Sequence, residues 1–193
     1  VDFGALGVDA LTFTAHKFHG PPGIGGLVMT HRAALAPRLV GGYQQAGARP
    51  GTESVALAVG MCTALEIWSR EAAERERRLR ALRDRFEQAL LAGWPAACVI
   101  GDAPRLPHTS NVALVGLDRQ ELSLALDLAG VACSTGSACA SGSSEVSPVH
   151  LAMGLPDSMI SSAMRFSFGV TTMATDIDLA VERILNVCRR LRR

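Results

Sequence analysis

Residues 70–92 carry the strongest structural pattern in this chain, a long helical repeat of apolar and charged side chains. Apolar residues recur there at spacings of three and four, which places one apolar face along the helix: Leu79, Leu82, Phe86, Ala89 and Leu90. Glutamates interleave the arginines elsewhere on this helix, so we expect solvent rather than nucleic acid to contact that surface. Because 48% of the chain is hydrophobic and only 19% is charged, it can bury a sizeable core, which excludes wholesale disorder.

Short apolar runs precede this helix and predict strands. Residues 9–14 and 24–30 are typical of buried parallel strands, and a turn-rich loop with adjacent prolines and glycines joins them. A second Gly-rich loop at 41–52 leads into a mostly apolar helix at 53–69. The first part of the chain is therefore predicted to consist of strands and loops that end in a helix.

The rest of the chain alternates strands with helices, which predicts an α/β fold. The predicted strands and helices follow in this order: strands near 96–100 and at 110–115, helices at 119–130 and 148–154, a strand at 163–168 and a helix at 176–192. Asp118 is a suitable N-cap for the helix at 119, and Gly154 is suited to end the helix before it. We place the boundary between two parts near residue 70, which gives parts 1–70 and 71–193.

Charge and cysteine content exclude several classes of protein. A formal net charge of +1 argues against a nucleic-acid binder, and no apolar run approaches the roughly 18 residues that span a bilayer. The five cysteines are an odd number without a CxxC pair, which favours a reducing compartment over a disulfide framework or a zinc site. Since the chain opens without a leader or an initiator methionine, we expect a fragment of a cytoplasmic protein.

Lys17 is the one lysine among 19 basic residues, and the other 18 are arginine. It follows a predicted strand directly, and strand ends in α/β sheets are where ligands bind. An ammonium group can lose its proton and become a nucleophile, which a guanidinium cannot. We therefore expect Lys17 to form a Schiff base in a desolvated site, with Thr14 and His16 offering hydrogen bonds. The alternative is an exposed loop lysine in a chain whose composition favours arginine.

Histidine and cysteine provide further candidates. His16 and His19 are three residues apart, but no third ligand accompanies them, so no metal site is predicted. Cys139 lies in the Ser/Gly/Ala loop at 134–147, where an exposed thiol can act as a thiolate nucleophile. Cys133 is near enough in sequence to form a redox pair with it. Two further cysteines fall in apolar helix patterns and are expected to be inert core thiols: Cys62 and Cys188.

Arg165 is a lone charge within an apolar strand pattern. A buried arginine requires an anionic partner. That partner is either a carboxylate of the chain itself or the carboxylate of a substrate, held by the two-pronged guanidinium.

Four segments occur in order between residues 9 and 169: TAHKFHGPPGIGGL, GGYQQAGARPGTES, CSTGSACASG and AMRFSFG. Together they resemble the pyridoxal-phosphate enzymes of the class V aminotransferase family, which have fold type I. The third segment is similar to the active-cysteine loop of the NifS/IscS-type cysteine desulfurases. The resemblance implies that Lys17 holds pyridoxal phosphate covalently and moves the α-proton of the substrate. It also implies that Thr14 and His16 bind the cofactor phosphate, and that Thr52 reaches the phosphate in a neighbouring subunit of a homodimer.

The same resemblance assigns the substrate-binding residues. Cys139 would take sulfur from L-cysteine as a persulfide, leaving L-alanine, and Arg165 would hold the substrate carboxylate. The sulfur would pass to an acceptor such as an iron–sulfur scaffold protein or to thiocofactor assembly. Two alternatives remain, a selenocysteine lyase and a truncated, non-catalytic module of the same fold, although the GSAC sequence around Cys139 favours the desulfurase.

The resemblance also implies that this chain is the C-terminal half of such an enzyme. The phosphate-binding turn, the ring-stacking histidine and the aspartate on the pyridine nitrogen of these enzymes have no match here. Residues 1–70 would then be the end of the large cofactor domain, and residues 71–193 the small C-terminal domain. We expect the isolated chain to lack full activity. The Gly-rich loop departs from the family pattern at Tyr43, Gln45 and Ala46.

Overall fold

The computed structural model describes residues 2–102, 104–136 and 146–192. The chain divides into two compact units, Val1–Ala72 and Ala73–Arg193, and the division lies two residues from the boundary placed near residue 70. None of the helices in the described ranges is long and apolar enough to cross a membrane.

The first unit contains a short helix and a strand pair. Helix α1 covers Phe3–Leu6, β1 covers Ala10–Thr14 and β2 covers Gly25–Met29. The two strands are antiparallel, with Leu11 opposite Val28. The prediction of buried parallel strands is therefore wrong in direction and in burial, since no residue of either strand is buried. A parallel pair requires a connection of about a dozen residues or more, whereas residues 15–24 join these strands directly.

The long helix α2 covers Val55–Gly93. The sequence predicts two helical segments, 53–69 and 70–92, whereas the structure has one continuous helix. No glycine or proline lies between residues 61 and 92, and the stretch around residue 70 consists of strong helix formers. Nothing in that stretch therefore ends a helix.

The second unit is built on a three-stranded antiparallel sheet in the order β3–β4–β5. Strand β3 covers Ala97–Val99, β4 covers Thr109–Leu114 and β5 covers Ala163–Ser167. Residues 97, 98 and 99 pair with residues 114, 113 and 112, and Asn111 lies opposite Arg165 in the next pair of strands. The strands thus bring residues from both ends of the unit together.

Four helices complete the second unit. They are α3 at Arg119–Leu128, α4 at Pro148–Ala152, α5 at Asp157–Ile160 and α6 at Ala174–Leu191. The N-cap prediction at Asp118 is confirmed, since its carboxylate accepts hydrogen bonds from two backbone amides of α3. The sequence did not predict α1 or α5, which are each only four residues long.

The hydrophobic core lies in the second unit, between the sheet and the helices. Phe86 of α2 packs against Phe166 and Phe168, with ring centroids 4.9 and 5.4 Å apart. Fully buried aliphatic side chains come from α2, β4, α3, β5 and α6: Leu90, Leu114, Leu122, Leu126, Met164 and Ile184. The apolar face predicted at residues 79–90 therefore contributes to this core.

Candidate functional site

The predicted cofactor lysine lies in a tight turn at the end of β1. Residues Ala15–Phe18 form a 3₁₀ turn, and Thr14 is its N-cap; residues 14–18 are hereafter called the Lys17 turn. The backbone amides of His19 and Gly20 both bond to the Ala15 carbonyl. A side chain on Gly20 would come within 2.9 Å of the Ala15 methyl group, so a glycine lets the chain reverse closely there. This closed turn presents Lys17 to solvent.

Thr14 and His16 flank Lys17 and contact each other. Thr14 Oγ1 lies 3.0 Å from His16 Nδ1 and 3.3 Å from the Ile24 carbonyl oxygen, to which it donates. The turn therefore presents a hydroxyl, an imidazole and an ammonium group within four residues.

These three groups are suited to bind a phosphorylated aldehyde. A hydroxyl and an imidazole can hydrogen-bond phosphate oxygens, a lysine amine can form a Schiff base, and a cation balances phosphate charge. No hydrogen bond or ion pair within the described ranges engages the Lys17 ammonium. The predicted desolvated setting, however, is not formed by the described residues, because Lys17 is exposed.

Thr52 lies in the Gly-rich loop of the same unit and is exposed. Gln44 Oε1 accepts a hydrogen bond from the Gly51 amide at 3.2 Å, and Gln45 Nε2 donates to Glu53 Oε1 at 3.1 Å. These bonds brace both sides of Thr52. The described contacts do not include a hydrogen bond from Thr52 to the Lys17 turn, so its predicted role in a neighbouring subunit stays a prediction.

The same loop contains two adjacent residues in the left-handed region. Gln45 has φ 54° and Ala46 has φ 55°, and neither is a glycine. Such backbone costs energy unless its surroundings hold it. Both residues are among the positions where the loop departs from the family pattern.

Arg165 lies in the second unit and lines a cavity of about 210 Å³. Seven residues line the cavity, and five of them have polar side chains: Asn111, Thr135, Ser147, His150 and Arg165. Arg165 is half-buried, and no ion pair in the described part of the chain joins it to a carboxylate. Of the two partners that the sequence left open, a carboxylate of the chain is thus not among the described contacts.

Sequence reasoning missed two polar residues of this cavity, Asn111 and His150. Asn111 Nδ2 lies 2.7 Å from His150 Nε2. Burial, and then the charge of Arg119, lowers the pKa of His150, which favours the neutral imidazole that can accept a hydrogen bond from Asn111 at Nε2. Asn111 follows two other polar residues at the start of β4, so the sequence did not set it apart.

The predicted nucleophile Cys139 lies outside the described residues. Among the described cysteines, Cys188 is buried as predicted, whereas Cys62 is exposed, so the prediction of a core thiol at Cys62 is wrong. In the described part of the chain, Cys62 and its apolar neighbours Val59 and Leu65 are exposed. Within the described residues, no group of three or more His, Cys, Asp or Glu side chains is placed to hold a metal ion.

Comparison with known proteins identifies the family. The model of the aminotransferase class-V family matches residues 1–180. An IscS-like cysteine desulfurase of Mycobacterium tuberculosis is 38% identical over 195 residues, which covers 100% of this chain and 50% of that protein.

Solved structures agree with this match. A NifS-like protein from Rickettsia africae superposes with a TM-score of 0.83 at 25% identity, over 97% of this chain and 49% of that one. A structure described as SspA in complex with cysteine gives a TM-score of 0.63 at 25% identity, over 87% of this chain and 46% of that one. The chain thus spans about half the length of the relatives it matches, and its mixed α/β architecture is that of part of a fold type I enzyme. This chain belongs to the class V aminotransferase family.

Proposed function

We propose that this chain is part of a pyridoxal-phosphate-dependent cysteine desulfurase that converts L-cysteine to L-alanine. The observation that carries the proposal is the Lys17 turn, which places Thr14, His16 and the only lysine side by side in a class V aminotransferase sequence. The relatives named cysteine desulfurase and the neighbour solved with cysteine support the substrate. Selenocysteine lyase and a non-catalytic module remain outcomes of the tests below.

The residues of the Lys17 turn would hold the cofactor. Lys17 Nζ is the covalent attachment point, and the Thr14 hydroxyl and His16 imidazole are the phosphate donors that this turn offers. Pyridoxal phosphate, when bound, withdraws electrons from the substrate α-carbon and so makes its proton acidic. Lys17 Nζ, once free of the cofactor, is the amine that takes this proton and later returns one.

The substrate-binding residues lie in the second part of the chain. Arg165 pairs with the carboxylate of L-cysteine through two parallel hydrogen bonds. The Cys139 thiolate attacks the sulfur of the substrate, an S–S bond forms and the C–S bond breaks. A proton then replaces sulfur on carbon, which leaves L-alanine and a persulfide on Cys139. A protein acceptor, such as an iron–sulfur scaffold, would take the sulfur, and Thr52 would complete the cofactor site across a homodimer.

Borohydride trapping tests the cofactor assignment. The chain is mixed with pyridoxal phosphate, its absorbance is recorded, and the adduct is reduced, digested and located by mass spectrometry. We expect the adduct on Lys17 because no other lysine competes with it, and we expect none at residue 17 in Lys17→Arg. The Thr14→Val variant should bind the cofactor about tenfold more weakly, since it loses a hydrogen bond to a charged group. An adduct found only at the amino terminus would contradict the assignment.

Product analysis tests the reaction itself. Alanine is measured after L-cysteine or L-selenocysteine is added to the protein loaded with pyridoxal phosphate. With dithiothreitol present to reduce the persulfide, sulfide and alanine from L-cysteine, both lost in Cys139→Ser, would support the desulfurase. Faster alanine release from L-selenocysteine would favour the lyase, and no turnover of either by a chain that holds the cofactor on Lys17 would favour the non-catalytic module.

A further inference from the structure

One residue that lines the cavity beside Arg165 has a buried polar atom without a hydrogen-bond partner among the described residues. Asn111 Oδ1 is buried and accepts no hydrogen bond in the part of the chain that the structure describes. Buried carbonyl oxygens almost always have a donor, so an exception calls for a physical reason. The other end of the same amide is engaged, with Nδ2 2.7 Å from His150 Nε2.

Strand pairing places Arg165 directly opposite Asn111. Asn111 and Arg165 are direct partners across the β4–β5 pair, and directly opposed residues project to the same face of a sheet. The backbone N–H and C=O of Arg165 both bond to Ser134, on the side away from β4, at 2.7 and 3.0 Å. Asn111 and Arg165 therefore form a non-hydrogen-bonded pair, the kind in which opposed side chains come closest, with Cα atoms about 4.5 Å apart.

His150 determines which end of the amide faces Arg165. The imidazole is buried in α4 at 5% exposure, and its neutral form accepts at Nε2 from the Asn111 NH₂ group. With Nδ2 held in this way, the carbonyl end of the amide remains for Arg165. Without that acceptor, the Asn111 amide could rotate and turn its NH₂ group toward Arg165. That orientation is unfavourable because the NH₂ group and the guanidinium are both hydrogen-bond donors.

We propose that Asn111 and His150 are positioning residues for Arg165: His150 fixes the Asn111 amide, and Asn111 Oδ1 accepts an N–H of the guanidinium when Arg165 binds a carboxylate. A guanidinium has five N–H donors and a carboxylate uses two in a parallel pair, so donors remain for Oδ1. The bond limits rotation of the guanidinium and aims its paired donors into the cavity. This inference rests on the proposed carboxylate-binding role of Arg165.

Nuclear magnetic resonance of the arginine side chains tests the proposal on the full chain. The Nε–Hε signal of Arg165 is assigned as the one lost in Arg165→Lys, and sodium propionate serves as the carboxylate probe. We expect propionate to shift this signal and to raise its {¹H}–¹⁵N NOE. In Asn111→Ala and His150→Leu the NOE should be lower, and propionate should bind about tenfold more weakly, because a hydrogen bond to a charged group is lost.

Two control variants separate positioning from general damage. His150→Gln retains an acceptor for Asn111 Nδ2 and should restore most of the affinity. His108→Leu replaces an exposed histidine of the same unit and should change neither signal. If His150→Leu fails to fold, as judged by its amide spectrum, then Asn111→Ala decides the test.

Two results would overturn the proposal. One is that the Arg165 signal of the wild type does not respond to propionate. The other is that a folded Asn111→Ala variant has the same Arg165 NOE and the same propionate affinity as the wild type. Propionate has a carboxylate but no sulfur or amine, so its binding to Arg165 does not depend on the cofactor or on the desulfurase reaction. A chain that binds propionate in this way but forms no alanine from L-cysteine would therefore contradict the proposed function and leave this inference intact.

Discussion

The cysteines show how strongly the surroundings of a single residue decide its chemistry. Cys62 and Cys98 are exposed, whereas burial raises the pKa of Cys133 and of Cys188 to about 11. The nearby charge of Asp127 adds to the effect at Cys133. Since the thiolate is the reactive form, the two raised thiols should be inert at neutral pH, which leaves Cys133 a poor redox partner for Cys139.

Alkylation with iodoacetamide at pH 8 checks this difference. We expect Cys62 and Cys98 to be modified at least about tenfold faster than Cys133 and Cys188, because a pKa near 11 leaves roughly one thiol in a thousand ionised at that pH. Peptide mass spectrometry gives the extent at each position. In denaturant the four rates should converge. Equal rates for Cys98 and Cys188 in the folded chain would contradict the burial of Cys188.

For single residues, the sequence identified candidates by their type but revealed only some of their neighbours in the fold. A lone lysine and a lone strand arginine stand out in a composition, which is why Lys17 and Arg165 could be predicted. Asn111 and His150 could not, because their meeting depends on the strand register and on where α4 packs. The exposure of Cys62 was missed because helical periodicity shows which residues share a face but not whether another layer covers it.

Helices and strands are held together by polar contacts as well as by the core. Glu87 of α2 is nearly buried and accepts from Arg105 at 2.6 and 2.9 Å and from Ser110 of β4 at 2.7 Å. Burial alone would raise the pKa of Glu87, but the hydrogen bonds from Arg105 and Ser110 outweigh it and the pKa is lowered. These bonds link α2 to the middle strand of the sheet.

The lowered pKa predicts a pH-dependent contribution to stability. The contribution is complete above the unfolded glutamate pKa of about 4.3 and is lost as the pH falls through the lower, folded pKa. Glu87→Gln should cost about 2 kcal/mol at pH 7. Thermal unfolding followed by circular dichroism between pH 7 and pH 3 should show the midpoints of the two proteins converging in acid.

A matched control is available on the same helix. Glu74 pairs with Arg77 on the surface, where both side chains are 71% exposed, so Glu74→Gln should change stability by less than about 0.5 kcal/mol at any pH. A loss in Glu74→Gln as large as that in Glu87→Gln would show that general charge, rather than the buried network, sets the stability.

Most elements could be predicted from the sequence to within a few residues, because hydrophobic periodicity and caps are local signals. The helix α3 with its Asp118 cap is one example. The direction of the β1–β2 pair was missed because a continuous apolar run does not reveal its partner. The continuity of α2 was missed because a change in composition near residue 70 is not a helix stop.

At the scale of the whole molecule, burial is distributed unevenly between the two units. Ala15 is the only buried residue among residues 2–72, whereas both hydrophobic clusters lie within residues 82–188. Removal of apolar surface from water is the main favourable term in folding. We therefore expect the second unit to supply most of the stability, and the strand pair that presents Lys17 to be held mainly by its own hydrogen bonds.

Hydrogen–deuterium exchange read by mass spectrometry resolves the two units and connects their stability to the proposed function. Peptides from β4, β5 and α6 should exchange slowly, and those from β1 and β2 at least about tenfold faster, because local opening is easiest where few side chains are buried. If β1 is as protected as β4 without cofactor, the uneven distribution of stability is contradicted.

The same measurement tests where the cofactor binds. Pyridoxal phosphate should slow exchange in β1 and the Lys17 turn, since a ligand stabilises the state that it binds. Adding it to Lys17→Arg should leave exchange in β1 unchanged, and exchange in β4 should stay unchanged in both proteins. Equal slowing of β1 in wild type and in Lys17→Arg would mean that the cofactor binds elsewhere.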